Sequence, residues 1–471
     1  GDTSLKTLIN LDIDENRSLR PLDSEETELK EKVRKRKDKN KEQGEEEHII
    51  YSWKQLIEDG KNAIALGDRQ FIDAEVLGTD PAVILYTSGT TGFAKGVVLT
   101  HRNIVDDLMM APTLLKVHPE DIFFSVLPVH HTYECTCAFL MPLYKGASIA
   151  FCEGLKYITK NLQEIRPTML LGVPVLIETL YKKIWKTAKS EGKDKKLEKL
   201  MKLNKKTKKL NINIAKKLAK DILDVFGGRM RVLISGGAAI DPKILQFFND
   251  LGIIAVQGYG LTECSPMTAL NPDVEKDMKN ESVGHLLPGM KVKIVDADEE
   301  GIGEICFKGP NVMLGYYNNQ EATDEVLKDG WFHTGDLGRV DTDSFIYITG
   351  RKKNVIITEN GKNVFPEELE YELSHIPYIA ESMVWGDNEG EGVNSTTIAA
   401  TVTLDDEEVK EVLGEEYTDE QAQNLVWGEI DKINERLPLF KKIKKLNIRK
   451  TDFNKTTGMK IKRFVESNKD A

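Results

Sequence analysis

The sequence predicts an α/β protein: a large N-terminal domain of mainly parallel sheets flanked by helices, followed by a small C-terminal α+β domain. Three observations lead there. Short, β-branched apolar runs, PAVILYT (81–87), IFFSVLP (122–128), SIAFC (148–152), TMLLGVP (168–174), RVLISGG (231–237) and IIAVQGYG (253–260), are mostly separated by helix-like stretches. That alternation is the pattern of strands joined by crossover helices. From about residue 290 it gives way to VKIVDAD, GEICFKG and SFIYITGR, short strands with tight turns. A chain of 471 residues, 40% hydrophobic, is long enough for roughly two to four domains with cores of their own.

In order along the chain, residues 1–48 read as a charged, flexible arm, because RPLDSEETELKEKVRKRKDKNKEQGEEEH (20–48) has almost no large apolar side chain. Globular signals begin at IIYSWKQLIEDG, so 49–351 is read as the large domain and 352–471 as the small one. The lysine-dense stretch from Tyr181 to Lys220 carries Leu197, Leu200, Met201 and Leu203 at helical spacing. It reads as a long amphipathic helix or a helical pair with a solvated basic face, contact with an acidic membrane surface being the second reading. In the small domain FPEELEYELSHI is a helix with Pro366 in its first turn, and Thr418 caps a helix over EQAQNLVWGEIDKINERL.

Composition removes several classes. A net charge of −11 and a pI near 5.5 argue against a nucleic-acid partner. Apolar runs fall well short of the roughly 20 residues a membrane span needs. Five cysteines with no CxxC pair fit neither a disulfide framework nor a structural zinc site. No signal peptide opens the chain at Gly1, so the reading is a cytoplasmic protein, with peripheral membrane contact as the alternative.

Three loops carry chemistry. In YTSGTTGFAKG (86–96) a strand runs into two Ser/Thr–Gly pairs. Thr87, Ser88, Thr90 and Thr91 offer hydroxyls, Gly89 lets backbone amides approach a polyphosphate, and Lys95 adds charge. It is not a Walker A loop, since Ala94 stands where that motif needs Gly. In QGYGLTE (257–263) a tight backbone is followed by Tyr259 for stacking, the Thr262 hydroxyl and the Glu263 carboxylate, a natural Mg²⁺ ligand beside phosphates. In GWFHTGDLGRVDTDSFIYITGR (330–351) Asp336 is expected in a Gly-flanked turn, able to accept from both ribose hydroxyls, with Arg351 donating to the same sugar.

With ISGGAAI and ENGKNVFPEELE, these segments stand in the order found in the adenylate-forming superfamily of acyl-CoA synthetases, adenylation domains and beetle luciferases. LPVHHTYE, TMLLGVP and the lysine-rich stretch look most like bacterial long-chain fatty acyl-CoA synthetases. The resemblance implies that Thr87, Ser88, Gly89, Thr90, Thr91 and Lys95 hold ATP phosphates. It implies that Gly236, Gly237 and Ala238, with Gln257, Gly258 and Tyr259, line the adenine. Thr262 would touch the α-phosphate, Glu263 bind Mg²⁺, Asp336 and Arg351 hold the ribose, and His131 lie near the substrate carboxylate.

The implied reaction has two halves. A carboxylate attacks the α-phosphorus of ATP to give acyl-adenylate and pyrophosphate, and the CoA thiol then displaces AMP. No covalent enzyme nucleophile is needed, so positioning and charge neutralisation carry it. Relatives supply an adenylation lysine from a C-terminal loop, which places that role on Lys460 in KTTGMKIKR, with Lys455 and Lys462 as alternatives. Relatives also rotate a mobile C-terminal domain between the halves; the pivot falls on Lys353, and Gly361 would approach the CoA tunnel. Relatives carry well over a hundred residues ahead of the phosphate loop, against about 85 here, so uncovered apolar surface at a sheet edge is expected. Transfer to a carrier protein and a non-catalytic nucleotide-binding relative are the competing readings. No oligomeric state follows from these motifs.

Overall fold

The computed structural model describes residues 7–10, 49–87, 94–207, 224–274, 277–358, 362–387, 396–455, 461–463, 465 and 469. The chain forms two compact units, residues 1–77 and 78–471. In the first, β1 (Thr7–Asn10) pairs in parallel with β2 (Ile49–Ser52), which leads directly into the helix Trp53–Ala65. The segment expected to be an arm therefore includes a strand: TLIN is apolar enough to pair, unlike the charged 20–48, which lies outside the described residues.

The second unit opens with β3 (Pro81–Thr87) and β4 (Lys95–Thr100), paired antiparallel. PAVILYT was expected in a parallel sheet. The seven residues between these strands are too few for a crossover, which takes about a dozen, so a hairpin forms instead. Asn103 then closes a capping box with Thr100 at the start of the helix His101–Met110.

The main sheet is mixed. Its parallel half runs β6 (Ser148–Phe151), β5 (Ile122–Ser125), β7 (Met169–Gly172), β8 (Val232–Ser235) and β9 (Ile254–Gly260) in spatial order. Both faces of β5, β7, β8 and the first half of β9 are buried, which explains their near-continuous apolar runs, whereas β6 is the half-exposed edge. Phe123, Met169, Leu171, Val232, Ile234 and Val256 face one core, and Phe124, Leu170, Leu233 and Ala255 face the other. Beyond β9 the connections shorten and the sheet turns antiparallel through β10 (Met267–Leu270), β11 (Gly284–Leu286), β12 (Lys291–Val295) and β13 (Gly303–Lys308). β14 (Gly315–Tyr316) leaves it to pair with β4, while β15 (Leu327–Lys328), β16 (Trp331–Val340) and β17 (Phe345–Arg351) return.

The described part of the lysine-dense stretch is a helical pair, Pro174–Ser190 and Asp194–Thr207, parted at Gly192, whose φ of +65° ends the first helix. Leu197 is fully buried in the second core, and residues 208–223 lie outside the described residues. At the sheet edge, around β6, Leu143, Tyr144, Phe151 and Leu155 are exposed.

After β17 a short hairpin, β18 (Ile356–Ile357) and β19 (Asn363–Val364), leads to the helix Pro366–Leu373. β20 (Ile379–Asp387), β21 (Thr397–Leu404) and β22 (Lys445–Arg449) form a separate three-stranded sheet. The helix Asp419–Arg436 begins at a capping box between Thr418 and Gln421, as the sequence predicts. Its Val426, Ile430 and Ile433 join Leu369, Leu373, Val384, Ala400 and Val402 in a third core, so this smaller α+β part has an interior of its own.

Candidate active site

Among the described candidates, several sit at or just after strand ends. Thr87 closes β3 and Lys95 opens β4, with the Thr87 hydroxyl donating to the Lys95 carbonyl across 3.5 Å. Ser88, Gly89, Thr90 and Thr91 lie outside the described residues. Lys95 reaches over the Tyr316 ring, with Nζ 4.9 Å from its centroid, and the Tyr316 hydroxyl donates to Glu263 Oε1 at 2.9 Å. One phenol thus spaces the cation of the first loop from the carboxylate of the second. Burial pushes the Tyr316 hydroxyl far above its usual range, and the Glu263 charge adds to this, so Tyr316 is a donor at every ordinary pH.

Glu263 lies with Thr262 in a single 3₁₀ turn after β9, both half-buried. Among the described residues its Oε2 carries no hydrogen bond, leaving one oxygen for a hard cation. That fits Mg²⁺, which takes few protein oxygens and keeps water and phosphate ligands. The neighbouring Cys264 is fully buried, its thiol pushed up first by burial and then by Glu263, so it stays protonated and serves packing.

Asp336 and Arg351 face each other in the β16–β17 register, joined by a 2.7 Å contact from Arg351 Nε to Asp336 Oδ1. The Tyr259 hydroxyl donates to the other oxygen, Oδ2. Asp336 is therefore not in a turn, as the TGD pattern suggested. It lies inside a ten-residue strand, where Gly335 with φ +70° and a register shift after Leu337 bend the backbone without ending the pairing. Burial raises the Tyr259 phenol well above its usual range and Asp336 raises it further. Burial works against the Arg351 charge, but Asp336, Tyr259 and Glu263 outweigh it. Glu263 and Asp336 thus act on one guanidinium.

The SGGAA turn follows β8. Gly236 donates to the Gly172 carbonyl at 3.1 Å, and a Cβ there would stand 2.9 Å from the Tyr133 ring. Gly237 holds φ +83°, which only glycine adopts freely, and Ala238 is exposed beside it. Tyr133, whose hydroxyl donates to the Ile234 carbonyl at 3.2 Å, was not singled out from sequence; the aromatic in HHTYE was the available signal. Gly258 is packed against Leu270 and the Ala269 carbonyl. The Gln257 amide donates to the Asn280 carbonyl at 2.6 Å, so it fixes a loop rather than facing the turn.

His131 follows β5 in the loop before a π-helix, Tyr133–Leu140. Its Nε2 is buried with no hydrogen-bond partner among the described residues, and burial, then His130, lowers its basicity. Glu134, in that helix, is fully buried and accepts from the Ser125 hydroxyl at 2.5 Å and from the amides of Val126 and Leu127. Its second oxygen has no partner among the described residues, and burial pushes the carboxyl up to about 7. Lys353 is exposed in a 3₁₀ turn after β17. Gly361 and Lys460 lie outside the described residues. Lys455 is held by Glu381 at 2.6 Å.

Residues 2–317 match the AMP-binding enzyme family. The chain belongs to that family. It is 30% identical over 431 residues to the long-chain-fatty-acid–CoA ligase FadD15 of Mycobacterium tuberculosis, covering 84% of this chain and 69% of that protein. To fatty acyl-CoA synthetase A of Dictyostelium discoideum it is 33% identical over 367 residues, covering 73% of this chain and 53% of that one. Among solved structures, ATP-bound MatB from Rhodopseudomonas palustris is similar at 28% identity and a TM-score of 0.64, over 87% of this chain and 72% of that one. The fold is likewise shared with the Bacillus subtilis o-succinylbenzoate CoA synthetase MenE in complex with ATP and magnesium, at 22% identity and a TM-score of 0.63, over 84% of this chain and 72% of that one. Among the described residues no helix is long and apolar enough to cross a membrane.

Proposed function

We propose that the chain is an AMP-forming carboxylic acid–CoA ligase that activates long-chain fatty acids with ATP and Mg²⁺. The observation that carries this is the convergence of Lys95, Glu263, Asp336 and Arg351, from four separate segments, around Tyr316 and Tyr259. Two cations and two carboxylates held by neutral phenols suit a magnesium polyphosphate and a ribose, and supply no nucleophile of their own. Lys95 would neutralise phosphate charge, Glu263 would take part in holding Mg²⁺, and Asp336 with Arg351 would bind the ribose. Mg²⁺, when bound, would offset the charge building on the leaving pyrophosphate.

The SGGAA turn would border the base, and His131, neutral and with an open Nε2, would receive the acid. Lys460 would serve adenylation, and the division at 351/352, with Lys353 as pivot and Gly361 near CoA, would let the small domain serve both halves in turn. Acidic composition and the absence of paired cysteines support work in the cytoplasm, where contact with a membrane surface would give access to fatty acids. The test is ATP–pyrophosphate exchange across carboxylic acids of increasing chain length, followed by thioester formation with CoA. Exchange dependent on a long-chain acid, with acyl-CoA as product, is expected. Exchange with no acid, or none with any acid, would overturn the reading.

A further inference from the structure

Glu304, Cys306 and His333 are the one group among the described residues in which three metal-ligating side chains converge. Glu304 and Cys306 are two apart on β13 and so face the same side of the sheet, and His333 lies directly opposite Cys306 on β16. Cys306 Sγ is 3.3 Å from His333 Nδ1, which is 3.4 Å from Glu304 Oε2, and all three donor atoms lie within 4.8 Å of one another. A tetrahedral zinc ion, at about 2.0–2.3 Å from nitrogen, oxygen and sulfur, sets its donors about 3.3–3.8 Å apart. The sheet already holds the imidazole at that spacing from both the thiol and the carboxylate.

A positive charge stands at the same place. Lys352 Nζ is 3.0 Å from Glu304 Oε2, the oxygen that also meets His333, while Oε1 accepts from the Gly335 amide at 3.1 Å. Lys352 is half-exposed, so its ammonium can swing into water and leave the carboxylate to another cation.

We propose that Glu304, Cys306 and His333 form a site for a divalent cation of the zinc class, which displaces the Lys352 ammonium. On binding, the Cys306 S–H bond breaks, its proton goes to solvent, and the sulfur–metal bond forms. Thiolate and carboxylate together balance the dication, neutral His333 binds through Nδ1 with its proton on Nε2, and water completes the shell. A thiolate and an imidazole select against Mg²⁺, which separates this site from the all-oxygen chemistry at Glu263. Lys352, once displaced, is released from the strand immediately before the segment that carries the small domain.

Titrating the metal-free full chain with Co²⁺ tests this without any activity readout. Expected are a thiolate-to-cobalt charge-transfer band that saturates at one equivalent, release of one proton per ion, and loss of the band when Zn²⁺ is added. Cys306→Ser should abolish the band. Lys352→Ala should tighten Co²⁺ binding roughly fivefold, the scale of removing one partly exposed competing charge. His333→Asn, at a more accessible position, provides a second loss of the band should Cys306→Ser fail to fold. Absence of the band in the wild-type chain, its persistence in both loss variants, or unchanged affinity in Lys352→Ala would overturn the proposal.

Discussion

Glu134 gives the sharpest test of the interior beside His131, where the acid is proposed to bind. Its carboxyl is fully buried, and Ser125 with two backbone amides stabilises the charged form less than burial penalises it. The result is a rise from the usual 4.5 to about 7. At 1.36 kcal/mol per pKa unit the difference amounts to ~3 kcal/mol. The sign follows from proton counting. Between pH 4.5 and 7 the folded chain holds a proton that the unfolded chain has lost, so stability falls as pH rises through that window and levels off above it. Glu134→Gln keeps the shape and an acceptor for Ser125 but cannot ionise. Its stability should lack this fall, and its advantage over the wild type should grow by ~3 kcal/mol between about pH 4.5 and 8. Urea unfolding of both proteins at several pH values, followed by tryptophan fluorescence, measures the difference. Parallel stability–pH curves would mean that Glu134 ionises freely and that the burial argument fails.

Glu263→Gln should slow pyrophosphate exchange by ~10²-fold, the scale of losing one key electrostatic element, and near wild-type exchange at ordinary Mg²⁺ would remove it as the metal ligand. Tyr316→Phe keeps the ring beneath Lys95 but drops the hydrogen bond to Glu263, so kcat/KM for MgATP should fall roughly tenfold, in line with a charge-assisted bond; an unchanged value would make the phenol a packing residue. Lys460→Ala should abolish exchange yet spare thioester formation from supplied acyl-adenylate, and equal loss of both would assign it a structural role. Lys353→Pro, which fixes φ near −65°, should preserve one half-reaction and lose the other, whereas loss of both with normal unfolding behaviour would rule out the pivot.

Which features could be read from the sequence follows from how far apart their determinants lie. Strands β5, β7, β8 and β9 were visible because burial on both faces writes an uninterrupted apolar run of three residues or more. The same content in PAVILYT led to the wrong sheet, since direction is set by the length of the connection rather than by the strand. Asp336 was found but misplaced: glycines at 335 and 338 around an aspartate also describe a bent strand, and only pairing with β17 distinguishes the two. Tyr316 was invisible. It reaches Lys95 and Glu263 because the two-residue β14 pairs with β4, a contact across the chain that no local pattern encodes.

The same contrast separates the site from the small C-terminal part. Inside the site Asp336 is almost fully buried and held from two sides by Arg351 and Tyr259, so its geometry is set before any nucleotide arrives. The helix Pro366–Leu373 and the residues after it meet the large sheet's helices through different contacts. Asp241, which caps the helix Pro242–Asp250 just after the SGGAA turn, accepts from the Tyr371 hydroxyl at 3.2 Å and meets His375 Nε2 at 2.9 Å. His375 is about one-third exposed, so this pair is screened and contributes on the order of 1 kcal/mol or less. A bond of that size fixes an orientation without trapping it, since thermal energy and a modest difference in ligand contacts can outweigh it. A pre-set nucleotide site beside a small domain that such a pair helps to orient is the arrangement that the two proposed half-reactions at one centre would require.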